Sequence, residues 1–366
     1  MTVHAGGAEG RVFLSVQILR AIAAGMVVLY HVQVDLVSAA GATPGLPNLT
    51  VGAAGVDIFF VISGFIMVYA SERQFGAPGG WRSFLLRRII RICPLYWAVT
   101  AFHVLVAMAA PGLFSTTFGP AFILASCLFW PVARPDGLIA PVVAQGWTLN
   151  FEMFFYLLLA AAMVAPRRRA VLVTSVALVT FVLAGQVGGL PFPLSYWAHP
   201  IILDFVAGLL LGLAHREGLR LGPGARIGLV LAGVLAYLLA APAPGDDILD
   251  SGARSFLVWG APAVLIVAGA VLGEPAARLG GAGRVLCFLG DASYALYLTH
   301  HIPIRAARRL AVWAGLEPLA LGWLYAGAIL GVATLLAFVV LVAFERPVAA
   351  FLKARHPFAA GRPHSA

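Results

Sequence analysis

The stretch "RAIAAGMVVLYH", residues 20–31, sets an arginine and a histidine at the two ends of ten residues, nine of them apolar or glycine and the tenth a tyrosine. Hydrocarbon penalises both end groups, yet everything between them suits it. At about 100° per residue, eleven steps turn an α-helix three full times plus about 20°, so both side chains share one face. The rise is about 16 Å, roughly half of a hydrocarbon core about 30 Å thick. The spacing reads as two polar stations at different depths on one transmembrane helix.

The rest of the chain has the same texture. Of 366 residues, 61% are hydrophobic and 11% charged, against about 25% charged in soluble domains. A soluble protein this apolar could not cover its surface, so the chain is a polytopic membrane protein whose constant partner is the lipid bilayer. Its apolar runs are long and continuous, without alternating polar positions, which selects helices over a barrel. The net charge of +9 gathers between apolar segments, where the positive-inside rule places it. With no nucleic-acid motif beside it, that charge does not imply a nucleic-acid partner. Cys93, Cys127 and Cys287 are too few and too scattered for a disulfide framework. Arg11, Arg20 and the later "VSAAGA" imitate a cleaved signal peptide. The length of the run and the position of Arg20 at its edge favour an uncleaved first span.

Stretches of spanning length occur near residues 12–38, 52–70, 92–110, 148–165, 170–188, 197–214, 226–241, 255–272, 286–304 and 320–344. A shorter run, 118–134, is interrupted by Pro120 and Pro131. If it does not span, the loops carrying Arg73–Arg91, Arg167–Arg169 and the tail after Glu345 are cytosolic, and the aspartate-rich "APAPGDDILDSGAR" is outside. The expected fold is therefore an all-α bundle of about ten transmembrane helices with cytosolic N- and C-termini. Residues 1–11 form a short cytosolic segment, 12–346 one membrane domain and 347–366 a basic cytosolic tail. Arg305, Arg308 and Arg309 break the charge rule on the outer side, and an interfacial helix would accommodate them.

Ionisable groups inside spans are costly and so are candidates for function. They sort by depth into two layers. On the cytosolic side lie Arg20 and the run "FLLRRIIRICPLYW". Its Arg88 and Arg91, three apart, present guanidinium groups to one side of a helix. Such planar donors bind phosphate, although the positive-inside rule alone also explains arginines here. Toward the outer side lie His31, Asp57, Glu152 in "GWTLNFEMFFYLLL", and Tyr297, His300 and His301 in "GDASYALYLTHHIPI". A histidine and a carboxylate within hydrogen-bond reach can act as general base and orienter. A single buried histidine more often bonds a backbone carbonyl. His103, His199 and His215 have no matching ionisable residue at comparable depth in the sequence. The adjacent His300 and His301 are expected to diverge, so no metal site is expected.

Taken in order, "LRAIAAGMVVLYH", "GVDIFFVISGFIM", "FLLRRIIRICPLYW", "GWTLNFEMFFYLL" and "SYALYLTH" resemble the membrane acyltransferase family 3, and within it the exopolysaccharide-production acyltransferases of bacteria. The resemblance runs from about residue 16 to 302. It implies transfer of an acyl group, commonly acetyl from acetyl-CoA, to a hydroxyl of a glycan, in the bacterial inner membrane and without a permanently bound cofactor. The family's Arg-x10-His pair falls on Arg20 and His31, and its Arg-x-x-Arg motif on Arg88 and Arg91. The doubled histidine makes two matches possible at the last motif, and register favours His300. Under this resemblance Arg20, Arg88 and Arg91 bind the phosphates of acyl-CoA while His31 serves the acceptor hydroxyl as base or as acyl carrier. Glu152 or Asp57 would orient His31, and Tyr297 or His300 would face the oxyanion. A glycan or lipid exporter, a non-enzymatic part of a polysaccharide machine, and an acyltransferase for a non-glycan small molecule remain as alternatives.

Overall fold

Each apolar stretch expected to cross the bilayer forms a helix, because a chain without water must satisfy its backbone within itself. A computed structural model describes residues 8–40, 48–110, 118–134, 137–240, 255–273, 280–315 and 318–356. In chain order the helices are α1 (Ala8–Ala40), α2 (Gly55–Tyr69), α3 (Gly80–Ala109), α4 (Pro120–Cys127), α5 (Trp147–Ala162), α6 (Arg167–Val187) and α7 (Leu194–Trp197). They continue as α8 (Ile202–Arg216), α9 (Pro223–Ala240), α10 (Ala261–Val271), α11 (Gly281–Thr299), α12 (His301–Trp313), α13 (Pro318–Val340) and α14 (Arg346–Arg355). Among the described residues the only β pairing is an isolated bridge between Ala133 and Ile139. Among the described residues six helical segments are long and apolar enough to cross a membrane: Leu14–Ser38, Thr50–Tyr69, Gly80–Ala109, Arg167–Val187, Pro223–Ala240 and Gly322–Arg355.

The ambiguous run 118–134 holds only the eight-residue α4, a rise of about 12 Å against a core of about 30 Å. It is tied to α3. Tyr96 Oη donates to Ser126 O at 3.1 Å and Trp97 Nε1 to Cys127 O at 2.9 Å.

The chain packs as two compact units, Met1–Ala70 with Leu203–Phe338 and Ser71–Ile202 with Val339–Ala366. A uniform composition does not announce this division, since the second unit is largely an excursion inserted between α2 and α8.

In the first unit α1 packs along α11, and α9 along α10. The α1–α11 pair runs parallel. Cys287 Sγ lies 3.7 Å from Leu14 O, Gln17 Nε2 donates to Asp291 Oδ1, and His300 meets His31 at 3.3 Å. Gly290 permits the contact, because a Cβ there would lie 2.1 Å from Gln17 O. The α2–α8 crossing also depends on glycine. A Cβ on Gly64 would stand 2.3 Å from Phe205 O, and one on Gly208 would stand 2.1 Å from Val61 O. Lipid offers no hydrophobic drive between helices, so close backbone approach at small residues supplies the packing.

α12 buries Pro303, Ile304 and Ala311 and leaves Arg305 and Arg309 exposed. Arg308 Nη1 pairs with Asp35 Oδ1 of α1 at 3.2 Å. The basic cluster that breaks the charge rule is thus one face of an amphipathic helix, partly neutralised from α1.

In the second unit α3, α5 and α6 pack in succession. Arg167 Nη1 pairs with Glu72 Oε1 at 2.5 Å. The aspartate-rich connection and the last ten residues of the tail lie outside the described residues.

Candidate active site

The Arg20–His31 spacing is realised on the unbroken helix α1. At its far station the His31 ring meets two others. Its centroid lies 4.9 Å from that of His300 and 4.6 Å from that of His301, and those two are 4.5 Å apart. The adjacent histidines therefore do not diverge past their target. They sit at the junction of α11 and α12, about 100° apart around the axis, and the His31 ring lies in the angle between them. His300 is fully buried, whereas His31 is half-buried.

The hydrogen bonds fix the tautomers. His300 Nδ1 faces Leu296 O at 3.1 Å. A carbonyl only accepts, so Nδ1 carries the proton, and Nε2 of the neutral ring has a lone pair. That lone pair faces His31 Nδ1 at 3.3 Å, and the same Nδ1 faces Val27 O at 2.9 Å. Two acceptors around one nitrogen make it a donor. His31 is therefore the Nδ1–H tautomer, and its Nε2 holds the lone pair of a general base. With both nitrogens of His300 committed, that ring has no N–H left for an oxyanion. Tyr297 is close by, its ring centroid 6.1 Å from that of His300 and 6.1 Å from that of Phe59.

At the near station Arg20 Nη1 donates to Gln17 Oε1 at 3.3 Å, and Gln17 in turn donates to Asp291 on α11. Neither Gln17 nor Asp291 was singled out by the sequence. The signal was present: each is a polar residue inside an apolar run, Gln17 on the helix of His31 and Asp291 on the helix that leads to His300.

The Asp57 carboxyl meets that of Asp204 on α8. Both are buried, Asp204 completely. The two Asp204 oxygens face no N–H or O–H donor among the described residues. Two carboxylates have no proton to share, so a bond joins the pair only when one is in the acid form. Gly260 makes room for it, since a Cβ there would lie 2.1 Å from Asp204 Oδ1. Asp204 interrupts an apolar run as Asp57 does, and the same depth argument would have found it.

The second unit holds Arg88 and Arg91. Arg88 lies over the rings of Phe84, at 5.5 Å, and Tyr156, at 5.9 Å, while Arg91 is exposed. Tyr156 donates to Glu152, and Glu152 is within electrostatic range of Arg88. The sequence sorted Arg88 to the cytosolic layer and Glu152 to the outer one, but they share one cluster. The reason is that α3 begins at Gly80, which sets Arg88 about 12 Å along the helix. Glu152 and His31 fall in different units. His103 and His215 bond backbone carbonyls at 2.8 Å each, the ordinary lot of a buried histidine.

A lone-pair-bearing imidazole and a guanidinium on one face of a membrane helix fit group transfer, and comparison with known proteins gives the class. The family model described as "Acyltransferase domain" matches residues 13–342, and the chain belongs to that family. It is 36% identical over 297 residues to the exopolysaccharide production protein ExoZ of Rhizobium meliloti (strain 1021), covering 78% of this chain and 88% of that one. It is also 27% identical over 282 residues to the acyltransferase MdmB of Streptomyces mycarofaciens, covering 71% of this chain and 70% of that one. No solved structure matches.

Proposed function

We propose that the protein moves an acetyl group from acetyl-CoA to a hydroxyl of an exopolysaccharide or related lipid-linked glycan, in the cytoplasmic membrane of a bacterium. The observation that carries the chemistry is the tautomer of His31, whose Nδ1–H is held by Val27 O and His300 Nε2. Family membership supplies the acyl transfer, and the name of the Rhizobium relative supports the glycan acceptor.

In this mechanism His31 Nε2 takes the proton of the acceptor hydroxyl as the oxygen attacks the thioester carbonyl. The C–O bond forms, the tetrahedral intermediate collapses, and the C–S bond breaks. The imidazolium returns its proton to the departing thiolate, giving the ester and free coenzyme A. His300 positions the imidazole, and Tyr297 offers its hydroxyl to the oxyanion. Direct transfer fits the single accessible lone pair, and an acyl-His31 intermediate is the alternative to be told apart. Arg20, Arg88 and Arg91 supply guanidinium groups of the kind that bind the phosphates of the donor. Glu152, tied to Tyr156, orders Arg88. Asp57 and Asp204 tie α2 to α8 rather than orienting His31. No resident cofactor enters these steps.

A ten-span arrangement with cytosolic termini accompanies this proposal. Parallel spanning helices have an odd number of crossings between them. Ten spans put seven between α1 and α11, whereas counting 118–134 as a crossing makes eight and would set them antiparallel. The parallel α1–α11 register supports the first arrangement.

The test is release of free thiol from acetyl-CoA by the purified protein, with and without lipid-linked glycan repeat units, for wild type and His31→Ala. Release that needs both glycan and His31 is expected. Undiminished transfer by a folded His31→Ala would remove His31 from the mechanism. One equivalent of thiol without acceptor would establish the acyl-enzyme route.

A further inference from the structure

Acyl transfer uses two of the three clustered histidines and leaves His301 without a part. Yet one ring nitrogen from each of His31, His300 and His301 lies within 4.8 Å of the other two. The His31 Nδ1–His300 Nε2 separation is 3.3 Å. Two nitrogens on a tetrahedral zinc ion, with bonds of about 2.0–2.1 Å, stand roughly 3.3 Å apart. His300 also has the outer bond that metal-ligating imidazoles use, Nδ1–H to Leu296 O at 3.1 Å, which aims its Nε2 lone pair into the cluster. Three imidazoles are the donor set of borderline transition metals and a poor one for magnesium or calcium, which take oxygen ligands.

We propose that His31, His300 and His301 bind a divalent transition-metal ion of the zinc class, and that its binding switches acyl transfer off. The second half rests on His31 being the base. A metal on His31 Nδ1 takes the position of the ring proton, which moves to Nε2 of the same neutral ring. Val27 O loses its donor, and Nε2 loses the lone pair that would accept the hydroxyl proton. No electron transfer and no other reactant is involved. Metal and acceptor then exclude one another through one imidazole.

The full-length protein in detergent is titrated with Co2+, whose visible bands report tetrahedral coordination. Acyl transfer is followed separately as Zn2+ is raised. Both are done with wild type, His301→Gln and His301→Cys, the last replacing one zinc ligand by another. The expected result is one tetrahedral Co2+ per chain in wild type and His301→Cys, and none in His301→Gln. Zn2+ inhibition of wild type, reversed by a chelator, is expected to be lost in His301→Gln over the Zn2+ range that inhibits wild type. The absence of tetrahedral bands in wild type, or bands unchanged in His301→Gln, would overturn the site. Bands that form while transfer continues unaffected by Zn2+ would overturn the switch and count against His31 as base. A wild type that transfers no acyl group to glycan would refute the proposed reaction alone, because the Co2+ spectra decide the site without turnover.

Discussion

Replacing His300 by leucine separates the work of positioning His31 from the work of proton transfer. His31 Nδ1–H has two acceptors, Val27 O at 2.9 Å and His300 Nε2 at 3.3 Å. The first lies within the usual N–H···O range and the second beyond it. Val27 O is backbone, so the substitution leaves the tautomer held. Nor does the change orphan Leu296 O, which still accepts the residue 300 backbone N–H at 3.1 Å. What is lost is one long hydrogen bond, worth about 0.5–1.5 kcal/mol net. If all of it acts in the transition state, kcat falls about two- to tenfold, at about tenfold per 1.4 kcal/mol. Loss of the base itself in His31→Ala is expected to cost about 10²- to 10⁴-fold. The assay is steady-state thiol release at saturating acetyl-CoA, with size-exclusion profiles as the control for folding. His300→Gln, whose amide oxygen reaches the position of Nε2, is expected to recover most of the loss. A 10³-fold fall in kcat for a well-folded His300→Leu, unrelieved by glutamine, would refute the positioning role and make His300 the proton acceptor.

Two further substitutions probe the other clusters. Arg88→Met keeps an apolar stem over Phe84 and Tyr156 but removes the charge. It is expected to raise KM for acetyl-CoA about tenfold, as loss of a charge-assisted contact of about 1.5 kcal/mol would, with kcat nearly unchanged; an equal loss in glycan KM would argue for misfolding instead. Asp204→Asn places an amide donor against Asp57 where the shared proton was, and is expected to melt within about 1 kcal/mol of wild type, whereas Asp204→Ala leaves Asp57 unpaired and costs about 1–3 kcal/mol. Thermal unfolding in detergent decides, and asparagine as harmful as alanine would sink the shared-proton reading.

The sequence made legible what depends on local periodicity. Apolar length gave the helices, and an eleven-residue offset on α1 gave the shared face of Arg20 and His31. Whether 118–134 spans was left to the loop charges, and the helix that forms there, α4, is eight residues long. Partners across helices were less legible, because they depend on which helices become neighbours. Asp57 was read as near His31, but its carboxyl meets Asp204, brought there by the Gly64–Gly208 approach of α2 and α8. Glu152 was read against His31, but it accepts a hydrogen bond from Tyr156, four residues away on its own helix. The His300–His301 pair was judged by its own geometry alone, and the ring that both histidines meet arrives from more than 260 residues earlier in the chain.

Why α1 should be paired with α11 follows from the demands on the site. The proposed base and donor anchor, about 16 Å apart on one helix, keep their places relative to a bound substrate only if that helix neither slides nor rotates. A single contact to a neighbour would leave it free to pivot. Here two polar ties, Gln17–Asp291 near Arg20 and His31–His300 near the base, join the same two helices at well-separated points. At the first of these ties Gly290 lets the backbones touch, so a rotation of α1 that moved Arg20 would drive Gln17 O into α11. Beyond the base, Asp35 adds a third tie through Arg308 of α12. In lipid such polar contacts have no water to compete with them, and each is selective for one register because a shift by one residue turns its side chain about 100° away. The polar residues that hydrocarbon penalises one at a time are thereby made to stabilise one relative position of two helices. The same contacts that fix this position also orient the lone pair of His31.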